Sequence, residues 1–320
     1  YLLGFIGIII ISSLILFSTR MSKISSKSSM KNFSKESFIS INNIFFGTLI
    51  FSIMLGVTYP LFFEYFFNQK ISVGAPFYNA IFIPIVILAC IFLFFSIESK
   101  WSRELNLKLL QNNVLFSILM SIISTCLIMY YFETSSYSII VSLFVGFLII
   151  SRYILEAASS VLTKKYLNPY SAVAHFALGL LLISISFNSL LSTERALSIK
   201  INENEKFMDL NISFEDIQVL NNSNHDSIRA SFIITDSSGE QFTMNPEKRK
   251  YFTRGQITTE TAIQIKPLRD IYMTIGDQLD DGSWIVNIQI NYFIRWIWFS
   301  AGLMAAAGLI LVFNNKRRNS

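Results

Sequence analysis

The residue of this chain whose type and position best suit chemistry is a histidine inside an apolar segment. His175 stands in the run from Ser171 to Leu191, which carries no formal charge and is long enough to cross a bilayer. Because an ionisable group in hydrocarbon is costly, such a residue is expected to face the interior of a helix bundle and to serve a function. A neutral imidazole can be satisfied there by a hydroxyl, by a backbone carbonyl or by a metal such as haem iron. His175 is therefore a candidate ligand, with a helix-packing hydrogen bond as the alternative.

Small residues lie within about one helical turn of this histidine on either side. They are Ala172, Ala174, Ala177 and Gly179. Small side chains let two helices approach closely, and they also leave room for a flat ligand beside the helix. The sequence is compatible with both arrangements.

Two other polar features of the apolar segments could bind a ligand or stabilise the bundle. Arg152 and Glu156 are four residues apart, a spacing that predicts an ion pair on one helix face near the membrane boundary. Arg295 opens the last apolar segment beside Trp296 and Trp298, which fit an interfacial aromatic belt. Arg295 can extend its charge to the aqueous side, or it can pair with an anionic group such as a haem propionate.

The other histidine of the sequence lies outside the apolar segments. His225 is in the polar run from Asn221 to Asp226, which is typical of a solvated turn. If haem iron at His175 takes two histidines, the second must come from another chain or from a part of the protein that this sequence lacks. The stretch from Pro246 to Tyr251 is predicted to be a charged loop, either solvated or in contact with a partner protein.

The elements that position these residues are predicted to be membrane-spanning helices. The chain has 320 residues, of which 52% are hydrophobic and 15% charged, with a mean hydropathy of +0.49. A soluble domain cannot cover that much apolar surface. Apolar segments of about 20 residues predict seven spans, of which the second is expected to end at Pro60. The spans are 1–17, 43–63, 77–97, 114–132, 137–155, 172–191 and 292–313.

The net charge of +5 divides unevenly along the chain. Residues 191–291 hold ten Lys or Arg against fifteen Asp or Glu, whereas the remainder holds sixteen basic against six acidic residues. Basic residues in short segments beside spans argue against nucleic-acid binding and predict, by the positive-inside rule, that these segments are cytoplasmic. The segment 191–291 is then expected on the outer side. The basic residues concerned are Arg20, Lys23, Lys27, Lys31, Lys35, Lys100, Arg103, Lys108, Arg152, Lys164, Lys165, Lys316, Arg317 and Arg318.

The segment between the sixth and seventh spans is predicted to be a β domain. Trp284 to Ile290 alternates between apolar and polar residues, and Ser227 to Thr235 and Thr259 to Ile265 are rich in β-branched residues. Hairpin turns are predicted at Ser237 to Gly239 and at Asp280 to Gly282. Seven to nine short strands in about a hundred residues indicate a small sandwich or barrel.

These patterns predict a polytopic α-helical membrane protein of about seven helices, with one extracytoplasmic all-β domain inserted before the last helix. We expect residues 1–191 to form a bundle of six spans, 192–291 the β domain, and 292–320 the last helix and a short basic cytoplasmic tail. Because the sequence begins at Tyr1 within a span, we expect it to be part of a longer protein. It contains no phosphate-binding glycine loop, serine elbow or zinc-type cluster, so hydrolytic and ATP-driven chemistry are not indicated.

Two further classes of membrane protein remain as alternatives. Half of a secondary transporter would show broken helices and charges at mid-membrane, whereas here glycine or proline interrupts the spans only near Gly56 and Pro84. The other alternative is a membrane-anchored assembly scaffold without haem, in which the β domain only binds a partner.

A series of short motifs resembles one known family in order and spacing. The motifs are Ser34 to Ser37, Asn42 to Asn43, Leu55 to Pro60, Ile71 to Asn79, Ala174 to His175, Pro246 to Tyr251, Arg269 to Tyr272 and Phe293 to Trp298. Each is weak alone, but together they resemble the C-terminal half of the CcmF family, the large membrane subunit of the cytochrome c haem-lyase apparatus. The resemblance covers nearly the whole chain.

The resemblance implies a role in cytochrome c maturation. Such proteins receive haem from a haem chaperone and promote its attachment to the Cys-x-x-Cys-His motif of apocytochrome c on the outer side of the membrane. They also hold a haem b between spans, and His175 corresponds by motif to one axial ligand of its iron. The implied location is the bacterial inner membrane or the mitochondrial inner membrane. Haem chaperone, apocytochrome c and other cytochrome c maturation membrane proteins are the implied partners.

The chain departs from the family in lacking its N-terminal half. The Trp-rich haem-handling loop, the outer-face histidines that bind substrate haem and the second intramembrane ligand all belong to that half. We therefore predict no catalytic residue in this chain and no activity without the N-terminal half, supplied by the same protein or by a split gene.

Overall fold

The computed structural model describes residues 2–21, 31, 33–99, 101, 107–163, 169–253 and 255–318. Within this part of the chain, seven α-helices and ten β-strands occur as six helices, then all the strands, then the last helix. This order confirms the predicted fold class. Six of the basic loop residues used above to orient the chain lie outside the described residues. They are Lys23, Lys27, Lys100, Arg103, Lys164 and Lys165.

Most helices extend beyond the apolar segments that predict them. The second helix begins early because the Ser34 side chain accepts a hydrogen bond from the Ser37 amide and caps its N-terminus. It continues through Pro60 and ends where Asn68 adopts a left-handed conformation, with φ of 55°. The helices are α1 (Leu2–Arg20), α2 (Lys35–Phe67), α3 (Ala75–Glu98), α4 (Leu107–Phe132), α5 (Tyr137–Thr163), α6 (Pro169–Leu191) and α7 (Ile294–Arg318).

The helices have the length and composition of membrane spans. Among the described residues, α2 to α7 each contain a stretch long and apolar enough to cross a bilayer, and α1 contributes a shorter apolar helix from Gly4 to Arg20. The chain is thus a multi-span membrane protein.

Backbone contacts divide the chain into two compact units, residues 1–110 and 111–320. In the first unit, α2 packs against α3, with Phe38 stacked on Phe95 at a ring distance of 6.2 Å. In the second unit, α6 packs against both α5 and α7. All the candidate residues singled out above for ligand binding lie in the second unit.

The strands form a two-sheet sandwich. One sheet has the order β1-β10-β9-β8 and the other β2-β3-β4-β6-β7, with β5 also paired to β4. Sixteen fully or nearly fully buried hydrophobic residues fill the space between the sheets, including Phe214, Phe232 and Ile288. The strands are β1 (Thr193–Ile199), β2 (Asn204–Phe207), β3 (Leu210–Asn221), β4 (His225–Thr235), β5 (Gln241–Met244), β6 (Glu247–Tyr251), β7 (Ile257–Glu260), β8 (Ala262–Ile265), β9 (Arg269–Gln278) and β10 (Trp284–Tyr292).

One local prediction about the sandwich is wrong. The charged stretch after Pro246 is not a loop but strand β6, paired on both sides, because Arg229 and Arg249 neutralise the buried carboxylate of Glu247. The β-branched segment from Thr259 to Ile265 does form strand structure, in β7 and β8, and the chain passes from one sheet to the other at Thr261. The two predicted hairpin turns do join strands.

Candidate functional site

His175 lies on α6 with its ring half-buried against α5. Its Nδ1 atom is 2.6 Å from the hydroxyl oxygen of Tyr153 on α5 and 3.2 Å from the hydroxyl oxygen of Ser171, one turn earlier on α6. The rings of Tyr153 and His175 are stacked, with centroids 5.4 Å apart and planes 17° from parallel. The Nδ1 atom and one face of the imidazole are therefore in contact with side chains of α5 and α6.

This geometry suits a histidine that binds a metal. A metal-bound histidine usually donates its second ring N–H to an oxygen, which fixes its tautomer and orientation. If Nδ1 of His175 carries the proton, it donates to Tyr153, and Nε2 then bears the lone pair that a metal uses. Tyr153 is 5% exposed, so this partner is itself fixed by packing.

The small residues near His175 serve close helix packing. A Cβ atom on Gly179 would lie 2.9 Å from the carbonyl oxygen of Gly146 on α5, and one on Gly146 would lie 3.1 Å from the carbonyl oxygen of Gly179. Ala177 is fully buried. Gly146 and Gly179 thus let the two backbones touch, as small residues do in membrane bundles. Of the two arrangements left open by the sequence, the structure shows close approach at Gly179.

A charged pair lies directly beside Tyr153. Arg152 is 8% exposed, and its Nη1 atom is 3.7 Å from a carboxylate oxygen of Glu156. The predicted ion pair on α5 is confirmed. A buried guanidinium is destabilising unless a carboxylate pairs with it, so Glu156 reduces the desolvation penalty of burying Arg152 beside the site.

The structure does not bring Arg295 close to His175. Asn188, near the end of α6, donates a hydrogen bond of 2.7 Å to the carbonyl of Tyr292, just before α7 begins. The rise of α6 from His175 to Asn188 is roughly 20 Å. Arg295 itself donates from Nε to Asp270 at 3.1 Å. Arg295 therefore lies at the sandwich end of α6 and α7, away from His175.

His225 is also remote from the helices. It opens strand β4, and its ring nitrogens lie 2.6 Å from the side chain of Asn224 and 3.1 Å from that of Asn222. This is a polar turn of the sandwich, as predicted. A group of three or more His, Cys, Asp or Glu side chains that could hold a metal does not occur among the described residues.

The junction between the sandwich and the helices is closely bonded. The hydroxyl of Ser192 accepts from the amide of Tyr292 at 3.1 Å, while Phe187 stacks on Phe293 with ring centroids 5.0 Å apart. With the Asn188 bond, these contacts fix the sandwich to the ends of α6 and α7. The sandwich and the helices α6 and α7 therefore form one continuous structure.

An ion pair near the junction stabilises one end of the sandwich. Arg269 donates two hydrogen bonds of 2.7 Å to the carboxylate of Asp209, which sits in the turn between β2 and β3. These hydrogen bonds are the main reason that the pKa of Asp209 lies below its ordinary value.

Sequence reasoning missed Tyr153 and Asn188. Both are polar groups within or at the end of an apolar segment, which is the signal that singled out His175. Their partners lie 22 and 104 residues away in the sequence, so only the fold pairs them.

Seven helices with one all-β domain before the last helix define a class of multi-span membrane protein. Residues 190–291 match the family model described as the CcmF C-terminal beta-sandwich. Two curated relatives are the cytochrome c-type biogenesis proteins CcmF of Escherichia coli, 27% identical over 322 residues, and of Pseudomonas aeruginosa, 25% identical over 329 residues. Each match covers 99% of this chain and 50% of the relative.

A solved structure titled Cytochrome c Heme Lyase CcmF has the same fold. Its TM-score is 0.68 at 17% identity, over 86% of this chain and 45% of that chain. The chain therefore spans about half the length of the curated relatives it matches. The resemblance predicted from the motifs is confirmed: this chain is similar to CcmF over nearly its whole length, and it contains the CcmF C-terminal β-sandwich.

Proposed function

We propose that this chain forms the C-terminal part of a haem lyase subunit in cytochrome c maturation and that His175 is one axial ligand of a haem b. The observation that carries the proposal is the 2.6 Å contact between His175 Nδ1, on the uncharged helix α6, and the Tyr153 hydroxyl on α5. The names of the relatives, cytochrome c-type biogenesis protein and cytochrome c heme lyase, support the same role.

The residues around His175 fit one side of a haem. A half-buried imidazole in an apolar segment can bind iron through Nε2 while Tyr153 fixes its plane. Haem iron bound to this imidazole would supply one-electron redox chemistry. The sequence has two histidines, and the other is in the sandwich, so this chain supplies at most one histidine ligand to such a haem.

The remaining parts of the site follow from this single ligand. We propose that the second ligand comes from the N-terminal half of the protein or from a split-gene product. Gly146 and Gly179 hold α5 and α6 at the distance that the Tyr153 hydrogen bond needs.

The sandwich is proposed to lie on the outer side of the inner membrane. The excess of basic residues in the short loops and the acidic character of residues 191–291 support this orientation. There it can meet a haem chaperone and apocytochrome c, whose Cys-x-x-Cys-His motif receives the haem. The chain is proposed to be inactive in haem attachment without the N-terminal half.

Spectroscopy on the reassembled protein tests the ligand. The chain is co-purified with the N-terminal half, and reduced-minus-oxidised spectra are recorded for the unsubstituted protein, His175→Ala and His225→Ala. His225 is the matched control because it is the other histidine and its ring, in the sandwich, bonds two asparagines and lies beside Tyr251. We expect a b-type signal that is lost in His175→Ala and kept in His225→Ala.

Two results would overturn the proposal. A b-type signal that survives His175→Ala excludes this histidine as a ligand. Complete absence of haem from the co-purified halves, with both folded, would instead favour a scaffold that only binds partners.

A further inference from the structure

A concavity of about 500 Å³ lies where the sandwich meets the start of α7. Its wall combines two cationic side chains with an apolar and aromatic surface. The lining residues are Ile265, Lys266, Pro267, Arg295, Trp296 and Phe299. The role proposed above for His175 does not use this concavity.

The concavity lies at the level of lipid headgroups. The span in α7 begins at Ile294, so Arg295 and Trp296 occupy its first turn, where aromatic and basic residues of membrane helices meet the polar interface. The turn between β8 and β9 is tied to the same level, because the Phe293 amide donates to the Leu268 carbonyl at 2.9 Å. Leu268 at the tip of this turn is 55% exposed, as expected of a side chain that dips into a bilayer surface.

Arg295 presents unused donors to this concavity. Its Nε bonds Asp270, but in the described part of the chain its two terminal amino groups make no hydrogen bond. The side chain is 46% exposed. Two terminal amino groups in one plane match the oxygens of a phosphodiester.

The local charges favour a zwitterionic headgroup. Arg295 is paired with Asp270, and Lys266 is paired with both Asp236 and Glu240. These two cations and three carboxylates leave a net negative charge, which opposes an anionic headgroup. Glu240 has a 58% exposed side chain 3.0 Å from Lys266, and it can accept from a primary ammonium.

We propose that this concavity binds the headgroup of a phosphatidylethanolamine lipid. The phosphodiester bonds the terminal amino groups of Arg295, the ammonium pairs with Glu240, and the acyl chains lie along Trp296 and Phe299. The lipid would then occupy the junction at which the sandwich is attached to the bundle.

Native mass spectrometry of the full chain in detergent tests the site. Phosphatidylethanolamine, phosphatidylcholine and phosphatidylglycerol with identical dioleoyl chains are titrated separately, and the fraction of protein carrying one lipid is measured. We expect phosphatidylethanolamine to be retained at roughly fivefold lower concentration than the other two. Arg295→Gln should weaken that retention about tenfold, whereas Lys250→Gln, a surface control on β6, should not change it.

Several outcomes would overturn the proposal. Phosphatidylglycerol binding as tightly as phosphatidylethanolamine would exclude the zwitterionic site, and unchanged retention in Arg295→Gln would exclude the arginine. Displacement of the lipid by millimolar inorganic phosphate would identify a site for free anions instead. If Arg295→Gln lowers the thermal unfolding temperature, its weaker lipid retention could come from unfolding. The order of affinity of the three lipids for the unsubstituted chain then tests the proposal.

Discussion

Replacing Gly179 by alanine tests whether close packing of α5 and α6 builds the His175 site. The new Cβ would lie 2.8 Å from Ile150 Cγ1 and 2.9 Å from the Gly146 carbonyl oxygen. The backbone oxygen cannot rotate away, so the helices must separate by several tenths of an ångström. Overpacking of this kind costs about 1–3 kcal/mol.

A matched glycine separates this steric cost from the general effect of the substitution. Gly302 is in helix α7, and a Cβ there would have no atom within 4 Å. Removing a glycine from a helix stabilises it by about 0.5–1 kcal/mol in both variants. The difference in free energy of unfolding between Gly179→Ala and Gly302→Ala therefore isolates the steric cost, about 1–3 kcal/mol.

The assay is unfolding of the full chain by sodium dodecyl sulfate in mixed micelles, followed by circular dichroism. Gly179→Ala should unfold at lower detergent fraction than the unsubstituted chain, and Gly302→Ala at the same or a higher fraction. Equal stability of the two variants would refute the close contact between Gly146 and Gly179. It would also show that close packing at Gly179 does not hold Tyr153 within hydrogen-bond distance of His175.

Three further substitutions test the site, the sandwich and their junction. Tyr153→Phe keeps the stacked ring but removes the hydroxyl from Nδ1 of His175, so haem retention by the co-purified halves should fall about tenfold or more. Asp209→Asn should make the free energy of unfolding depend less on pH at acid pH. Arg269 lowers the pKa of Asp209 in the folded chain, so the ionised carboxylate stabilises the sandwich at pH values above its ordinary pKa. That stabilisation is lost as the pH falls through the lower pKa of the folded chain, and the asparagine variant lacks it at every pH. Asn188→Ala leaves a strand-end carbonyl without its donor and should cost about 1–3 kcal/mol, measured as faster limited proteolysis at the junction.

Each of these predictions has a result that contradicts it. Unchanged haem affinity in Tyr153→Phe would show that the hydroxyl does not position the imidazole. An Asp209→Asn chain that loses stability below the ordinary pKa of aspartate as steeply as the unsubstituted chain would assign the acid sensitivity to other carboxylates. Unchanged cleavage in Asn188→Ala would show that the ring stack of Phe187 on Phe293 suffices to hold the junction.

The helices could be predicted from sequence because the hydrocarbon of the bilayer requires almost every side chain of a span to be apolar. His175 stood out for the same reason, since it is the ionisable side chain of an otherwise apolar segment. The polar ends of the helices lie outside the hydrocarbon, so hydropathy does not predict where they begin and end. Ser34 begins α2 well before its apolar segment by capping the backbone, a local bond that hydropathy does not register.

The sandwich was harder to predict, because its charged strands are stabilised by partners distant in sequence. Glu247 appears as part of a charged loop until Arg229, on another strand, is brought next to it. The pairing of Tyr153 with His175 depends on how α5 and α6 are set against each other, and Gly146 and Gly179 determine that arrangement. Sequence reasoning identified the candidate ligand, but the group that orients it required the fold.

Because its first and last strands pair with each other, the sandwich is an insertion between α6 and α7, two helices that pack against each other. Thr193 at the start of β1 lies opposite Ile290 near the end of β10, so the chain leaves α6 and returns to α7 at neighbouring points, about 5 Å apart. A tight turn would close the same gap. The inserted segment can thus be lengthened, shortened or exchanged without changing the spacing of the two helices. The sandwich can therefore change in sequence without altering how α6 and α7 pack against each other.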